Sequence, residues 1–367
     1  MTKRKKWLFF VLYIIGLSVI AEIAVRVLLP APSRIPDPVY NHIWNPGTTL
    51  TIDSCKLSVN KLSFLRGNEL SPLKEQNTYR VFYVGDSFIS GNCDAAVPQI
   101  LESKLRPTAE QSGISLEVIN AGTPSYSPIL YHLVISNKIL PLHPDLVVIN
   151  VDLTDVQDDR ICREIATRDS SGEIVAVPRG TEFASRFERT SYGLVERSRL
   201  DRVFYTLRRN SRLYQGLEQV ISNLEGKQSN NLADVETTTV SKYPWCGHAW
   251  DDDLSQSVNL LLGQLRQTFE LLRKHNVRAA LVSVPHREHF TGECSVRTVE
   301  VLKELAEELK VPFLDSVERL REHFTPDLDR YYLKGDMHLN SDGYRAWARI
   351  HEEFLLDPKS HLLPDMK

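Results

Sequence analysis

The stretch Tyr79–Asn92, YRVFYVGDSFISGN, decides the fold. Its apolar run, Val81 to Val84, shows no polar alternation, the pattern of a strand buried on both faces of a parallel sheet. The run stops at Gly85-Asp86-Ser87. Gly85 permits a tight backbone turn, and Asp86-Ser87 open the next segment. A serine held at the carboxyl end of a buried strand is either a helix cap or a nucleophile, and the rest of the chain must choose.

Working outward, strands and helices alternate. SLEVINAG (115–122), PDLVVINVD (144–152), VRAALVSVP (277–285) and VPFLD (311–315) read as further strands. AVPQILESKLRP (96–107), SPILYHLVISNKILP (127–141), LSQSVNLLLGQLRQTFELLRKHN (254–276), VRTVEVLKELAEELK (296–310) and SDGYRAWARIHEEFLL (341–356) have helical spacing. The long helix at 254 is opened by the capping aspartates Asp251 to Asp253. Continuous apolar strands alternating with amphipathic helices predict an α/β domain, a parallel sheet covered on both faces. Ligands of such sheets sit beyond the carboxyl ends of the strands, where Ser87, Gly122 and Asp152 all fall.

The first thirty residues are different. Four cations in MTKRKK precede Trp7–Leu29, an apolar run long enough to cross a bilayer as a helix. Glu22 and Arg26, four apart, pair on one helix face near the far interface. The basic flank keeps the N-terminus cytoplasmic and exports the chain beyond Pro30. No small-x-small cleavage site comes after the core, which favours an uncleaved anchor over a removed signal peptide. Five cysteines, Cys55, Cys93, Cys162, Cys246 and Cys294, would then face an oxidising compartment. None has metal-ligand spacing; they allow one or two disulfides and leave a thiol over. A net charge of −3 on 367 residues gives no sign of a nucleic-acid partner.

The organisation expected is therefore a basic tip and transmembrane anchor over 1–30, a proline-rich stalk and lead-in over 31–76, extended to about 48 and with a short hairpin in the mixed stretch 49–76, and the α/β domain over 77–358. Within that domain the alternation lapses between about 157 and 250. GEIVAVPRG reads as a small strand, SRLDRVFYTLRRNSRLYQGLEQVISNLEG (198–226) as one or two arginine-rich amphipathic helices, and 227–244 as polar loop. This insertion stands over the strand ends as a lid or substrate-facing subdomain, and its arginines, Arg186 to Arg212, are most simply a solvated face, with a grip on anionic glycan or lipid head groups as the alternative.

A serine hydroxyl needs an adjacent base to act as a nucleophile. The sequence offers one in GDMHLNSDGYRAWA, where His338 precedes the closing helix. Asp336, two residues earlier, can fix the imidazole tautomer and stabilise the imidazolium. VGDSFISG together with DMHLNSDGY resembles the SGNH, or GDSL-type, family of serine esterases and lipases, over roughly Tyr79 to Leu356. The resemblance implies a flavodoxin-like three-layer α/β/α sandwich. It implies Ser87 as nucleophile, His338 as base and Asp336 as its acidic partner. It also implies an oxyanion hole from the backbone N–H groups of Ser87 and Gly122, the latter in VINAGTPSYS. Where the family reads glycine-x-asparagine-aspartate, this chain has Asp152, Leu153, Thr154 and Asp155, so Thr154 offers a hydroxyl in place of the asparagine amide. The two-residue spacing of acid and histidine is similar to the Asp-x-His of bacterial proteins that add or remove acetyl groups on exopolysaccharides.

Simpler readings compete at other positions. Asp152, Asp155, Asp158 and Asp159 fit no standard calcium loop, and Asp155 reads as a helix cap, so no metal is expected. His286, just past the strand AALVSVP, either lines the site or is a hydrogen-bonded loop histidine. Trp245 and Trp250 either stack on a sugar or pack the insertion onto the core. The resulting expectation is a membrane-anchored extracytoplasmic serine esterase without cofactor, acting on an ester-bearing small molecule or an acetylated carbohydrate. Transfer of the acyl group to a cell-surface polysaccharide, and a non-catalytic glycan-binding or scaffold module, are the alternatives.

Overall fold

The computed structural model describes residues 2–28, 32–52, 55–65, 69–178 and 243–364, with five further positions between 211 and 217. Its centre is a five-stranded parallel sheet. In chain order the strands are β5 (Thr78–Val84), β6 (Ser115–Asn120), β7 (Leu146–Val151), β10 (Arg278–Ser283) and β11 (Phe313–Leu314). In space the order is β6-β5-β7-β10-β11. Counted along the sheet strands alone this is 2-1-3-4-5, the flavodoxin-like order, with its switch point between β5 and β7. Val81 stands opposite Leu146, and Val84 opposite Ile149.

The sheet is apolar on both sides because alternate residues of each strand meet different helix layers. Phe82, Val84, Val147 and Ile149 face the helices α4 (Pro128–Val134), α6 (Asp252–Lys274) and α8 (Arg297–Leu309). Val81, Tyr83, Val148 and Val282 face α3 (Val97–Gln111), α9 (Ser316–Phe324) and α10 (Ser341–Leu356). The covered parallel sheet expected from the apolar runs, and the three-layer α/β/α sandwich that the resemblance implies, are thus present. Helix boundaries follow local chemistry. Asp251 caps α6 by accepting from the Leu254 N–H at 2.8 Å, and Asn340 caps α10 by accepting from Asp342 and Gly343.

Residues 34–44 differ from the expected extended stalk, whereas 49–52 and 55–58 form an antiparallel pair in the stretch where a short hairpin is expected. β1 (Arg34–Asp37) pairs with β2 (Asn41–Trp44), and β3 (Thr49–Ile52) with β4 (Cys55–Ser58), both antiparallel. Proline content favours extension, but burial of Ile35, Tyr40 and Ile43 against the α4 layer outweighs it. Trp44 donates to the Gly122 carbonyl at 2.8 Å, which ties this lead-in to the loop after β6. The start of the insertion is also ordered: α5 (Asp155–Ile165) and a two-stranded pair, β8 (Thr167–Arg168) with β9 (Ile174–Ala176). The arginines from Arg186 to Arg212, and all but five positions of the helical segment expected over 198–226, lie outside the described residues.

The N-terminal helix α1 (Lys3–Leu28) contains the one segment, Lys5–Leu28, that is long and apolar enough to cross a membrane among the described residues, with a mean hydropathy of 2.5. Its apolar side chains are exposed, Trp7, Phe9 and Tyr13 among them. Arg26 and Glu22 form the expected ion pair at 2.7 Å.

Cys246 and Cys294 form a disulfide, Cys93 is also disulfide-bonded, and Cys162 is a buried free thiol. The Cys246–Cys294 bridge closes a 48-residue separation and pins the segment that buries Tyr243 and Trp245. The Cys246→Ser/Cys294→Ser double variant should lose about 4 kcal/mol in urea denaturation, on the loop-closure scale. A loss below about 1 kcal/mol would show that packing of Trp245 alone holds the segment.

Candidate active site

Ser87 opens the short helix α2 (Ser87–Ser90) directly beyond β5. Asp86 caps it, accepting from the Phe88 N–H at 2.9 Å. Phe88 and Ile89 are fully buried, so the turn is held by packing as well as by the cap. Gly122 explains how the next loop comes so close. A Cβ there would stand 2.4 Å from the Ser90 nitrogen and 2.7 Å from the Ile89 carbonyl carbon.

His338 and Asp336 lie on a compact loop between α9 and α10. Tyr332 bridges Leu339 across its neck, and the Leu333 N–H donates to the His338 carbonyl at 2.9 Å. Gly335 takes φ +73°, a left-handed turn position suited to glycine. Asn92, just past α2, donates from Nδ2 to the Leu339 carbonyl at 3.3 Å and ties this loop to the serine turn. Across 251 residues of sequence, Ser87 Oγ and His338 Nε2 stand 2.7 Å apart. His338 Nδ1 is 2.6 Å from Asp336 Oδ1, which also accepts the His338 backbone N–H at 3.0 Å. Partial burial opposes charge on Asp336, but the His338 backbone N–H and imidazole outweigh it and hold the carboxyl below its usual range. The Asp336 side chain is 47% exposed, so this acid is partly solvated rather than sealed in the core.

The other two positions expected at the site use their donors elsewhere. The Gly122 N–H donates to Asn120 Oδ1 at 3.0 Å. The Thr154 hydroxyl and N–H both donate to Asp152 Oδ1, at 2.5 and 2.6 Å. The Ser87 N–H lies in the first turn of α2, where no intrahelical acceptor exists. Asp86 Oδ2 is 3.2 Å from Ser87 Oγ.

Beneath the serine lies a charge cluster the linear sequence does not reveal. Asp152, at the end of β7, pairs with His286 Nε2, beyond β10, and both side chains are almost wholly buried. Burial alone would keep His286 neutral. The Asp152 charge and hydrogen bond, helped by Glu288, overcome this and lift it to about 9, which favours the imidazolium. Glu288 opens the one-turn helix α7 (Glu288–Thr291), and its Oε2 sits 3.6 Å from the other ring nitrogen. Burial also opposes the Asp152 charge, yet His286 and Thr154 hold that carboxyl below its ordinary range. The remaining carboxyls go the other way. Burial, reinforced by the Asp152 charge, pushes Asp86 and Asp155 well above the usual carboxylate range. Asp155 is held by the Tyr131 hydroxyl at 3.0 Å and by the Asp152 N–H at 3.0 Å.

The Phe88 ring joins the two histidines, its centroid 4.6 Å from that of His286 and 5.0 Å from that of His338. Tyr243 meets His286 edge-on at 5.3 Å, and its hydroxyl contacts Met337 Sδ at 3.1 Å. Trp245 donates to the Leu153 carbonyl at 2.9 Å. Trp245 therefore packs onto the site's floor and is not presented for stacking; Trp250, half-buried, has the Arg297 guanidinium 3.9 Å over its ring. Both Asp152 and His286 stand just past strands that are neighbours in the sheet, but only the strand order makes that signal readable. Among the described residues no group of His, Cys, Asp and Glu is arranged to hold a metal ion.

No protein-family model matches the chain, and no curated protein matches it. Solved structures do. A GDSL-like lipase from Bacteroides thetaiotaomicron is 12% identical, with a TM-score of 0.34, over 78% of this chain and 91% of that one. A lipase/acylhydrolase from Enterococcus faecalis is 14% identical at 0.39, over 78% and 100%. An acetylxylan esterase from Geobacillus stearothermophilus is 10% identical at 0.42, over 78% and 97%. At these identities and scores the likeness says nothing of this chain's chemistry, which rests on its own residues.

The Asp152–His286 pair makes stability pH-dependent. A histidine raised to about 9 contributes stability that is complete below its ordinary value near 6.5 and is lost as pH rises through about 9. The urea midpoint should fall across that window. His286→Ala should flatten the fall and, by leaving Asp152 buried and unpaired, cost about 3–5 kcal/mol at neutral pH. An unchanged alkaline fall in that variant would remove His286 as its cause.

Proposed function

We propose that the protein is a serine esterase of the SGNH, or GDSL-type, family, anchored by α1 with its α/β domain outside the cytoplasm. The observation that carries this reading is the hydrogen-bonded line from Ser87 Oγ through His338 to Asp336, at the sheet's carboxyl edge beside the switch point. Any one of these residues is commonplace; a hydroxyl, an imidazole and a carboxylate aligned at 2.7 and 2.6 Å are the parts of acyl transfer. His338 Nε2 takes the hydroxyl proton as Ser87 Oγ attacks the ester carbonyl. The tetrahedral carbon collapses, the alcohol leaves with the proton that His338 returns, and an acyl-serine remains. Water deprotonated by His338 then releases the acid. Asp336 keeps the Nδ1 proton in place and stabilises the imidazolium in both halves.

An acetylated carbohydrate is the substrate class this reading favours. A cavity of about 660 Å³ opens beside Asp336, lined by Arg287, Glu288, Asp329, Tyr332 and Lys334. Such a lining suits a hydroxyl-rich ligand better than an acyl chain. The length and exposure of α1, with the cations before Trp7, support the anchor and its orientation.

A fluorophosphonate should label the folded wild-type protein, and neither Ser87→Ala nor His338→Ala should label. Turnover of an aryl acetate should drop by roughly 10⁴-fold or more in each variant. Absence of labelling in folded wild type would move the reading to a non-catalytic binding module. Protease added outside intact cells should remove the domain; protection there would overturn the orientation.

A further inference from the structure

The contact between Ser87 Oγ and Asp86 Oδ2 poses a proton-counting problem. Ser87 carries one hydroxyl proton and has two polar neighbours, His338 Nε2 at 2.7 Å and Asp86 Oδ2 at 3.2 Å. For His338 to act as the base its Nε2 must be unprotonated, so the serine proton points there. The Asp86 contact is then either two sets of lone pairs facing each other or a hydrogen bond donated by Asp86. We propose that Asp86 is held as a neutral carboxylic acid that donates to Ser87 Oγ and, during attack, to the carbonyl oxygen as it becomes an oxyanion.

The surroundings support this on charge alone. Asp86 is 3% exposed and shares one buried cluster with Asp152 and Asp155, while His286 is the buried imidazole that faces them. Asp86, Asp152 and Asp155, with Glu288 at the other ring nitrogen, set several carboxyls against one imidazole, and they cannot all ionise away from water. Asp152 is the one that pairs with His286, so protons fall to Asp86 and Asp155. The direction of the Asp86 shift, driven by burial and then by Asp152, agrees. Its Oδ1 already accepts from the Phe88 N–H, which leaves Oδ2 to carry the proton beside the serine.

The role fills a gap. The Gly122 N–H is turned to Asn120 and the Thr154 hydroxyl to Asp152, so neither is free to meet a developing charge in this arrangement. The nucleophilic oxygen and the oxyanion are bonded to one carbon in the intermediate. A donor in reach of the first is within a small rotation of the second. No proton is transferred; the acid hydrogen bond strengthens as negative charge grows, the differential stabilisation that catalysis requires. An ionised Asp86 would do the opposite, placing a negative charge beside the oxyanion.

The catalytic half rests on the esterase reading, so the test has two arms. Asparagine preserves the cap and supplies an N–H donor in the place of the acid, whereas alanine supplies neither. Asp86→Asn, which keeps a donor, should retain at least about 10-fold more aryl acetate turnover and fluorophosphonate labelling than Asp86→Ala. Asp86→Ala should lose about 10²-fold or more. Equal, large losses in both would overturn the donor role, because a carboxylate would then be what matters. The second arm needs no activity. The infrared difference between wild type and Asp86→Asn at neutral pH should contain the carbonyl stretch of a protonated carboxylic acid. Carboxylate stretches in its place would overturn the proposal whatever the kinetics. A wild-type protein inert to both probes would defeat the esterase reading and the catalytic half together, and the infrared result would still decide the proton on Asp86.

Discussion

Everything at the site depends on two chain segments meeting over the edge of one sheet. The turn after β5 and the loop before α10 are 251 residues apart in sequence, yet Ser87 Oγ and His338 Nε2 stand 2.7 Å apart. No local propensity can do this. A parallel sheet can, because every crossover returns the chain to the same edge and the carboxyl ends of all strands open on one side. β5 lies at the switch point, so the turn after it is uncovered there. The Asp336–His338 loop, closed at its neck by Tyr332 and Leu339, is carried to that gap by α10, whose Trp347 is anchored to Ser316 on the neighbouring helix at 2.9 Å.

A second constraint lies under the first. Burying several carboxyl groups around one serine would be ruinous if all were charged. His286 pairs with Asp152, and Asp86 and Asp155 are driven towards the protonated form. A buried pair of this kind contributes little net stability against an apolar replacement, since desolvation of both ions offsets their attraction. Its effect is electrostatic ordering: it decides which carboxyl of the cluster is ionised. Phe88, between the two histidine rings, separates this sealed cluster from the solvated Asp336–His338 pair. One pair is dry, the other partly solvated.

Much of this architecture was legible in the residues. RVFYV, LVVIN and ALVSV read as buried strands because a parallel sheet tolerates no polar alternation, and each became one. The capping aspartate of α6 and the Glu22–Arg26 pair came from spacing alone. The lead-in was harder. Its prolines argue for an extended stalk, whereas Ile35, Tyr40 and Ile43 pack against the α4 layer, and burial of three large apolar side chains outweighs the local preference. Gly122 and Thr154 also show the limit of reading by position. Each stands near the strand ends, as expected, but the direction of a donor is set by the nearest acceptor, and Asn120 and Asp152 claim both.

By itself the sequence determined the layered α/β class, the apolar N-terminal helix and the identity of the hydroxyl, imidazole and carboxylate that meet. These come from patterns a few residues long, where periodicity and side-chain chemistry act locally. Only the tertiary structure decided which strands are neighbours, and hence that Asp152 meets His286 and that Asp86 shares their cluster. Strand order is a property of crossovers spanning scores of residues. Charge balance in a buried cluster is a property of distances, which no linear pattern encodes.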